Sequence, residues 1–397
     1  MTTAVSTPNA VERHTRHIAV AFGDGHRGVF HHLWLRDNCL CAECLHPETH
    51  ERVLDTFSLD PEVAPVVVDD AGDQLAIDWS DGHHTRHGLD WLRARCPCSG
   101  CTAPRVPPPR LWDAGIAGDL PELRYADVVT DDVNVGLAAF VETVWTTGFV
   151  FVRDVPTTED ALRDLARRVG HLRETNFGPD FHVETMLDPN NVAYTSVELR
   201  PHTDAANLET PPGVQFLFCL SADAPGGDST LVDGFAVAER LRTGEPETFA
   251  LLCDVAIPYR FHDRTHDLRW AAPVVGLHDD GSYREVRFHN ALMAPFDLPL
   301  ELIEPTYAAL RRFHELATSE QQRISVRLRP GDAMVFHNRR VLHGRSAFDP
   351  GGGHRHLFGL YVDVDEWLSR LRMLRRSSSE GYADVSASRG GGSARCR

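Results

Sequence analysis

The sequence predicts a mainly β protein with flanking helices, in which a small N-terminal β-rich module precedes a larger sandwich or barrel. Three observations carry that expectation. Short apolar runs of strand length recur through the larger part, with Gly and Pro turns between them. Few helical periods interrupt these runs, whereas a doubly wound sheet needs strand and helix in regular alternation. The N-terminal part has its own apolar–polar alternation, separated from the rest by a Pro-rich stretch.

Residues 1–16 read as a loose, flexible tail. The module is expected over 17–110, from "HIAVAFGDG" and "GVFHHLWLRDNC" through "QLAIDWSDGHHTRHGLDWL" to the linker "CTAPRVPPPRLW". No internal repeat is evident beyond a doubled cysteine pattern. The larger domain, 111–375, opens with helical period in "VGLAAFVETVWTTG", then the strand "FVFVRDV" and the helix "TEDALRDLARRVG". Strands follow in "NVAYTSVEL", "GVQFLFCL", "STLVDGF", "VAIPYRF", "REVRFHN", "RISVRLRPGDAMVFHN" and "HRHLFGLYVDV", interrupted by one helix, "EPTYAALRRFHELATS". Residues 376–397 are low in complexity and read as a disordered tail.

Composition narrows the function. Of the 397 residues 42% are hydrophobic and 24% charged, as in a globular protein with a real core. No run is apolar for the length of a membrane span, and the N-terminus lacks the apolar core of a secretory signal, so a cytoplasmic address is expected. A net charge of -17 argues against nucleic acid or an anionic membrane as partner. All 40 basic residues are arginine. Without lysine there is no Schiff base, P-loop anchor or kinase lysine.

Six of the nine cysteines fall in two clusters, "CLCAEC" (Cys39, Cys41, Cys44) and "CPCSGC" (Cys96, Cys98, Cys101). Three thiolates within six residues are too tight for two disulfides and suit one tetrahedral zinc. Such a site leaves no open position, so its role is structural. His46 and His50 are local candidates for a fourth ligand. The second cluster is open between another metal site and plain surface thiols.

"LRPHTDAANLETPPGVQF" places His202 and Asp204 two apart at the edge of a strand, where both project to one side. Alone the pattern is weak, since His278 and Asp280 repeat it in what reads as a hairpin turn. Near the C-terminus "AMVF" reads as a buried strand, followed by His343 in "RVLHGRS" and, after a "DPGGG" turn, by Arg355. Two histidines and a carboxylate on one side of a metal form the facial triad of non-haem Fe(II) oxygenases. An arginine can hold the distal carboxylate of a dicarboxylate cosubstrate by a bidentate pair.

These motifs, with "LWLRDNCLCAEC", "DPNNVAYT", "GGDSTLVDGF" and "RHLFGLYVDVDEWLSRLR", resemble the γ-butyrobetaine hydroxylase and trimethyllysine hydroxylase group of Fe(II)/2-oxoglutarate dioxygenases, related to taurine dioxygenase, over nearly the whole chain. The resemblance implies a double-stranded β-helix core, Fe(II) on His202, Asp204 and His343, and 2-oxoglutarate on Arg355 with Ser229 nearby. It implies hydroxylation by O2 coupled to decarboxylation of 2-oxoglutarate to succinate and CO2. It also implies a structural Zn(II) whose fourth ligand comes from "DGHHTRH" at His83, with His84 as the neighbouring alternative, and a homodimer.

The family takes a trimethylammonium substrate in an aromatic cage. The matching positions are Phe177, Phe181, Tyr194 and Tyr361, with Asn191 and His289 also on the substrate side. Residues 355, 357, 359 and 361 share one strand face, so Tyr361 points inward if Arg355 does. Two departures stand out: His289 replaces a family asparagine beside the substrate carboxylate, and Ala205 replaces a frequent tyrosine. A γ-butyrobetaine-like small molecule, yielding a carnitine-like product, is the expected substrate. Another betaine, a phosphonate or a secondary metabolite is the alternative. A non-catalytic zinc-binding interaction protein is a further one, which the complete triad and Arg355 oppose.

Overall fold

The computed structural model describes residues 10–70, 72–98, 100–101, 106–130, 134–184 and 195–378. The chain divides into two compact units, one within residues 1–105 and the other spanning Val106–Ser379.

The first unit contains β1 (Ala10–Arg13), β2 (His17–Ala21), β3 (Arg27–His31), α1 (His32–Asp37), β4 (Pro65–Asp70), β5 (Gln74–Trp79), β6 (His84–Gly88) and α2 (Leu89–Arg93). The strands form two antiparallel three-stranded sheets, β1-β2-β3 and β4-β5-β6. The loose tail therefore does not reach residue 16, because Ala10–Arg13 pair in register with β2. Residues 1–9 lie outside the described residues.

The unit is also an internal duplication, contrary to the sequence reading. At a constant offset Asp24 matches Asp81, His26 His83, Trp34 Trp91, Arg36 Arg93 and Cys39 Cys96. Each half is a three-stranded meander, a short helix and a C-x-C-x2-C segment. The second turn of each meander is the same "DGH": Gly25 and Gly82 sit at φ 81 and 82, a left-handed conformation open to glycine. In each, the aspartate carboxylate accepts from the histidine N–H at 3.0 Å. The halves share one core, in which Ile18, Val20 and Phe22 of the first meet Leu75, Ile77 and Trp79 of the second. Few identities survive because most of the matched positions need only apolar bulk, which is why the repeat escapes a search for identical residues.

The second unit runs β7 (Glu122–Arg124), α3 (Tyr125–Val129), α4 (Val135–Thr147), β8 (Phe149–Arg153), α5 (Glu159–Arg167), β9 (Asp180–Val183), β10 (Leu199–His202), β11 (Val214–Ala222), β12 (Ser229–Asp233), α6 (Gly234–Gly244), α7 (Pro246–Asp254), β13 (Ile257–His262), β14 (Asp267–Ala272), β15 (Val275–Leu277), β16 (Tyr283–Val286), α8 (Leu300–Thr318), β17 (Arg323–Val326), β18 (Ala333–His337), β19 (Val341–Arg345), β20 (Arg355–Val362) and α9 (Val364–Ser378). Two sheets make the double-stranded β-helix: β7-β8-β18-β11-β20-β9 and β10-β19-β12-β17.

Strand period divides the side chains between two cores. Phe149, Phe151, Leu217, Met334, Phe336 and Leu357 face inward and meet Leu231, Ile324 and Val341 of the smaller sheet. The alternate residues Val150, Val152, Phe216, Phe218, Val335 and Phe358 face outward and are covered by α4, α5 and α9. Trp367 of α9 is fully buried there against Phe140, ring centroids 5.5 Å apart.

More helices frame the sheets than the single late one expected. α6 starts at the residue after β12, capped by Asp233, and α9 starts two residues after β20, so neither has a linker to announce it. His278 and Asp280 sit in the turn between β15 and β16, where Asp280 accepts from Ser282. No helix of the described residues is long and apolar enough to cross a membrane. The expected disordered tail falls largely on 379–397, outside the described residues.

Candidate active site

The site grows from the pairing of β10 with β19, which sets His202 opposite His343. The imidazoles stack obliquely, ring centroids 4.2 Å apart. His202 Nδ1 meets Arg200 O at 2.8 Å; a carbonyl only accepts, so Nδ1 donates and Nε2 is the nitrogen turned to the pocket. That Nε2 lies 3.3 Å from Asp204 Oδ1, and His343 Nε2 lies 3.8 Å from the same oxygen.

Asp204 is held from both ends. Asn338 accepts from Asp204 N at 2.7 Å and donates to Asp204 O and Pro212 O, each at 3.1 Å. Tyr361 donates its hydroxyl to Asp204 Oδ2 at 2.7 Å. The next residue, Ala205, is in the left-handed region at φ 55. Burial alone would raise the Asp204 carboxyl, but His343, His202 and the Tyr361 hydrogen bond outweigh it and hold the group well below the usual carboxylate range. Burial, followed by His202, pushes His343 down to about 3. Two imidazoles and a carboxylate converging in one buried pocket are the donor set of a divalent cation such as Fe(II).

His289 stands in the same ring of donors, where the sequence reading expected a substrate residue. Its centroid is 4.4 Å from that of His202, and its Nδ1 faces Thr203 O at 3.2 Å. His202, Asp204 and His289 each bring a ligand atom within 4.8 Å of the others. Burial, then His202, lowers His289 to about 3, so it meets any bound group as a neutral imidazole.

Arg355 and Ser229 reach the same pocket as the triad. Arg355 is buried, and its Nε donates to Gly227 O at 3.1 Å. Burial lowers it to about 10, so it stays charged at neutral pH. Arg345, the ladder partner of Ser229, is engaged by the backbone, donating to Thr195 O at 2.7 Å and Val197 O at 2.8 Å. Both Arg345 and Arg355 line the pocket.

Aromatic rings line the same pocket. Phe181 packs on Tyr361 with centroids 5.2 Å apart, and Phe177 meets Phe261 edge-on at 5.5 Å. Phe181 can lie there because its ladder partner is Gly359; a Cβ on that glycine would come within 2.4 Å of the Phe181 ring. Asn191 and Tyr194 lie outside the described residues. Asn338, Phe261 and Gln215 were not singled out from sequence. Gln215 is the ladder partner of Tyr361, lines the pocket and keeps Oε1 buried with no partner among the described residues. The "VFHN" just before the distal histidine motif is the one available signal for Asn338.

In the first unit His83 Nε2 lies 3.2, 3.6 and 3.6 Å from the sulfurs of Cys39, Cys41 and Cys44. His84 instead pairs with Asp78, and His46 caps its own turn.

A double-stranded β-helix with two histidines and a carboxylate in its interior defines a non-haem iron oxygenase. The chain belongs to the taurine catabolism dioxygenase TauD, TfdA family, matched over residues 114–361, and is an Fe(II)/2-oxoglutarate-dependent dioxygenase. The gamma-butyrobetaine hydroxylase-like N-terminal family matches twice, over 10–87 and 66–119. The chain is 40% identical to the gamma-butyrobetaine dioxygenase of Pseudomonas sp. strain AK-1, over 90% of this chain and 94% of that one. It is 32% identical to the human gamma-butyrobetaine dioxygenase over 90% and 94% of the two chains. Rat mitochondrial trimethyllysine dioxygenase is 31% identical over 87% and 82%.

Proposed function

We propose that this enzyme hydroxylates a small quaternary-ammonium substrate resembling γ-butyrobetaine. The observation that carries the reading is the pocket itself, with its metal-donor set, a buried charged arginine, and an aromatic wall of Phe177, Phe181, Phe261 and Tyr361. His202, Asp204 and His343 would hold Fe(II), which supplies the oxygen-activating chemistry. Arg355 would take the distal carboxylate of 2-oxoglutarate as a charge-assisted pair, with Ser229 beside it. Asn338 fixes the Asp204 backbone, and the Tyr361 hydroxyl aims the carboxylate and helps to keep it ionised. The aromatic faces would seat the trimethylammonium group, whose attraction to π-faces grows when water is excluded. Neutral His289, on the Asp204 side, donates Nδ1 to Thr203 O and would offer Nε2 only as an acceptor. Cys39, Cys41, Cys44 and His83 would bind a structural zinc, and the chain would assemble as a homodimer.

Titration calorimetry on the iron-free protein with 2-oxoglutarate tests the cage. A desolvated cation–π cage contributes ~2 kcal/mol, so γ-butyrobetaine should bind at least about tenfold more tightly than its primary-amine analogue. Equal affinities would remove the cage, and with it this substrate class.

A further inference from the structure

The second cysteine cluster repeats the first in structural detail. Cys101 N donates to Cys98 O at 2.9 Å, as Cys44 N does to Cys41 O at 3.0 Å. Cys96 N meets Arg93 O at 3.4 Å, as Cys39 N meets Arg36 O at 3.3 Å. In both clusters the imidazole comes from the other half. His26, from the first half, places Nε2 3.1, 3.7 and 3.4 Å from the sulfurs of Cys96, Cys98 and Cys101 in the second.

Hydrogen bonding alone does not account for that convergence. One ring nitrogen offers a single proton or a single lone pair, and three sulfurs surround it. A central cation would engage all four atoms at once. Zinc bonds of ~2.3 Å to sulfur and ~2.0 Å to nitrogen give tetrahedral edges of about 3.5–3.8 Å, close to the observed spacing. All four donors lie within 4.8 Å of one another, and none of the described cysteines is in a disulfide.

The surroundings fit the charge. Zinc with three thiolates and a neutral imidazole carries one net negative charge, which a neighbouring cation offsets. Arg93 donates from Nη1 to Cys101 Sγ at 2.9 Å and is held by Asp24 through Nε at 2.8 Å. Arg36 does the same in the other half, reaching Cys44 Sγ at 3.6 Å and Asp81 at 2.8 Å. Asp24 and Asp81 in turn orient His26 and His83 through their "DGH" turns. Each ligand set thus has the same arginine and aspartate behind it.

We propose that Cys96, Cys98, Cys101 and His26 bind a second structural zinc. Each half of the duplication then gives its cysteines to one ion and its histidine to the other, so the two metals staple the halves crosswise. The inference does not depend on the oxygenase pocket or its substrate.

Zinc counting on the full-length chain, purified without chelator, tests it by elemental analysis and native mass spectrometry. About two zinc ions per chain are expected by the four-ligand logic, separate from iron. Cys98→Ser and Cys41→Ser should each retain about one. His26→Cys, which rebuilds four ligands, should keep both, whereas His26→Ala should lose one. A wild-type chain with one zinc, lost in Cys41→Ser but kept in Cys98→Ser, would overturn the second site and leave the first standing. If a variant is insoluble the wild-type count still decides, because fewer than two ions refutes the pair.

Discussion

At the scale of single residues, Asp204 organises the pocket through groups far apart in sequence. The H-x-D spacing, the distal histidine and Arg355 were legible because strand ends and turns leave local marks. Asn338 and Gln215 were not, since their roles arise only when strands from distant segments pair. The family resemblance put Tyr361 in the cage and strand period turned it inward; the structure adds its hydroxyl bond to Asp204 Oδ2. The expectation for Arg355 follows from its buried charge. Arg355→Ala should cost ~2–5 kcal/mol of cosubstrate binding, seen as a steep rise in the apparent 2-oxoglutarate constant with little change for the amine. The reverse pattern would move the cosubstrate to Arg345. The third iron ligand has two structural candidates, and equilibrium Fe(II) binding separates them. His343→Ala should lose tight iron binding while His289→Ala keeps it, and the opposite result would exchange their roles.

At the scale of elements, the join between β12 and α6 is pinned by a fully buried ion pair. Arg340 donates Nε to Asp233 Oδ1 at 3.0 Å and Nη2 to Oδ2 at 2.8 Å, and both side chains are wholly excluded from solvent. The same guanidinium reaches Thr146 O at 2.8 Å and Arg110 O at 2.6 Å, while Asp233 also receives Trp112 N at 3.1 Å. The next element, β19, carries His343, so the pair fixes the strand that bears it. Removing one partner of a buried pair leaves an uncompensated charge. Arg340→Met should therefore lower unfolding stability by ~3–5 kcal/mol in denaturant titration, and an unchanged midpoint would show that the pair is not a structural pin. Element type was legible wherever an apolar period ran long, as in α4 and α8. Helices that follow a strand without a linker, α6 and α9, were not. Nor was the duplication, whose halves share fold and ligands more than letters.

At the scale of the whole molecule, two compact units each carry metal-donor sets of different chemistry. The cysteine–histidine sets in the first would each close a structural metal with four protein ligands. A His–Asp–His triad in the second would leave coordination positions open beside a cosubstrate arginine, which suits catalysis. The net charge of -17 and the absence of lysine leave that pocket's cationic duties to arginine. Turnover of 2-oxoglutarate is expected to be coupled to hydroxylation of a quaternary amine. Succinate and hydroxylated amine should be measured together after incubation with Fe(II), 2-oxoglutarate, O2 and γ-butyrobetaine. Both should appear in equal amounts, with succinate falling to a low uncoupled rate when the amine is left out or replaced by its primary-amine analogue. Succinate that forms at the same rate without the amine, or with no hydroxylated product, would contradict it.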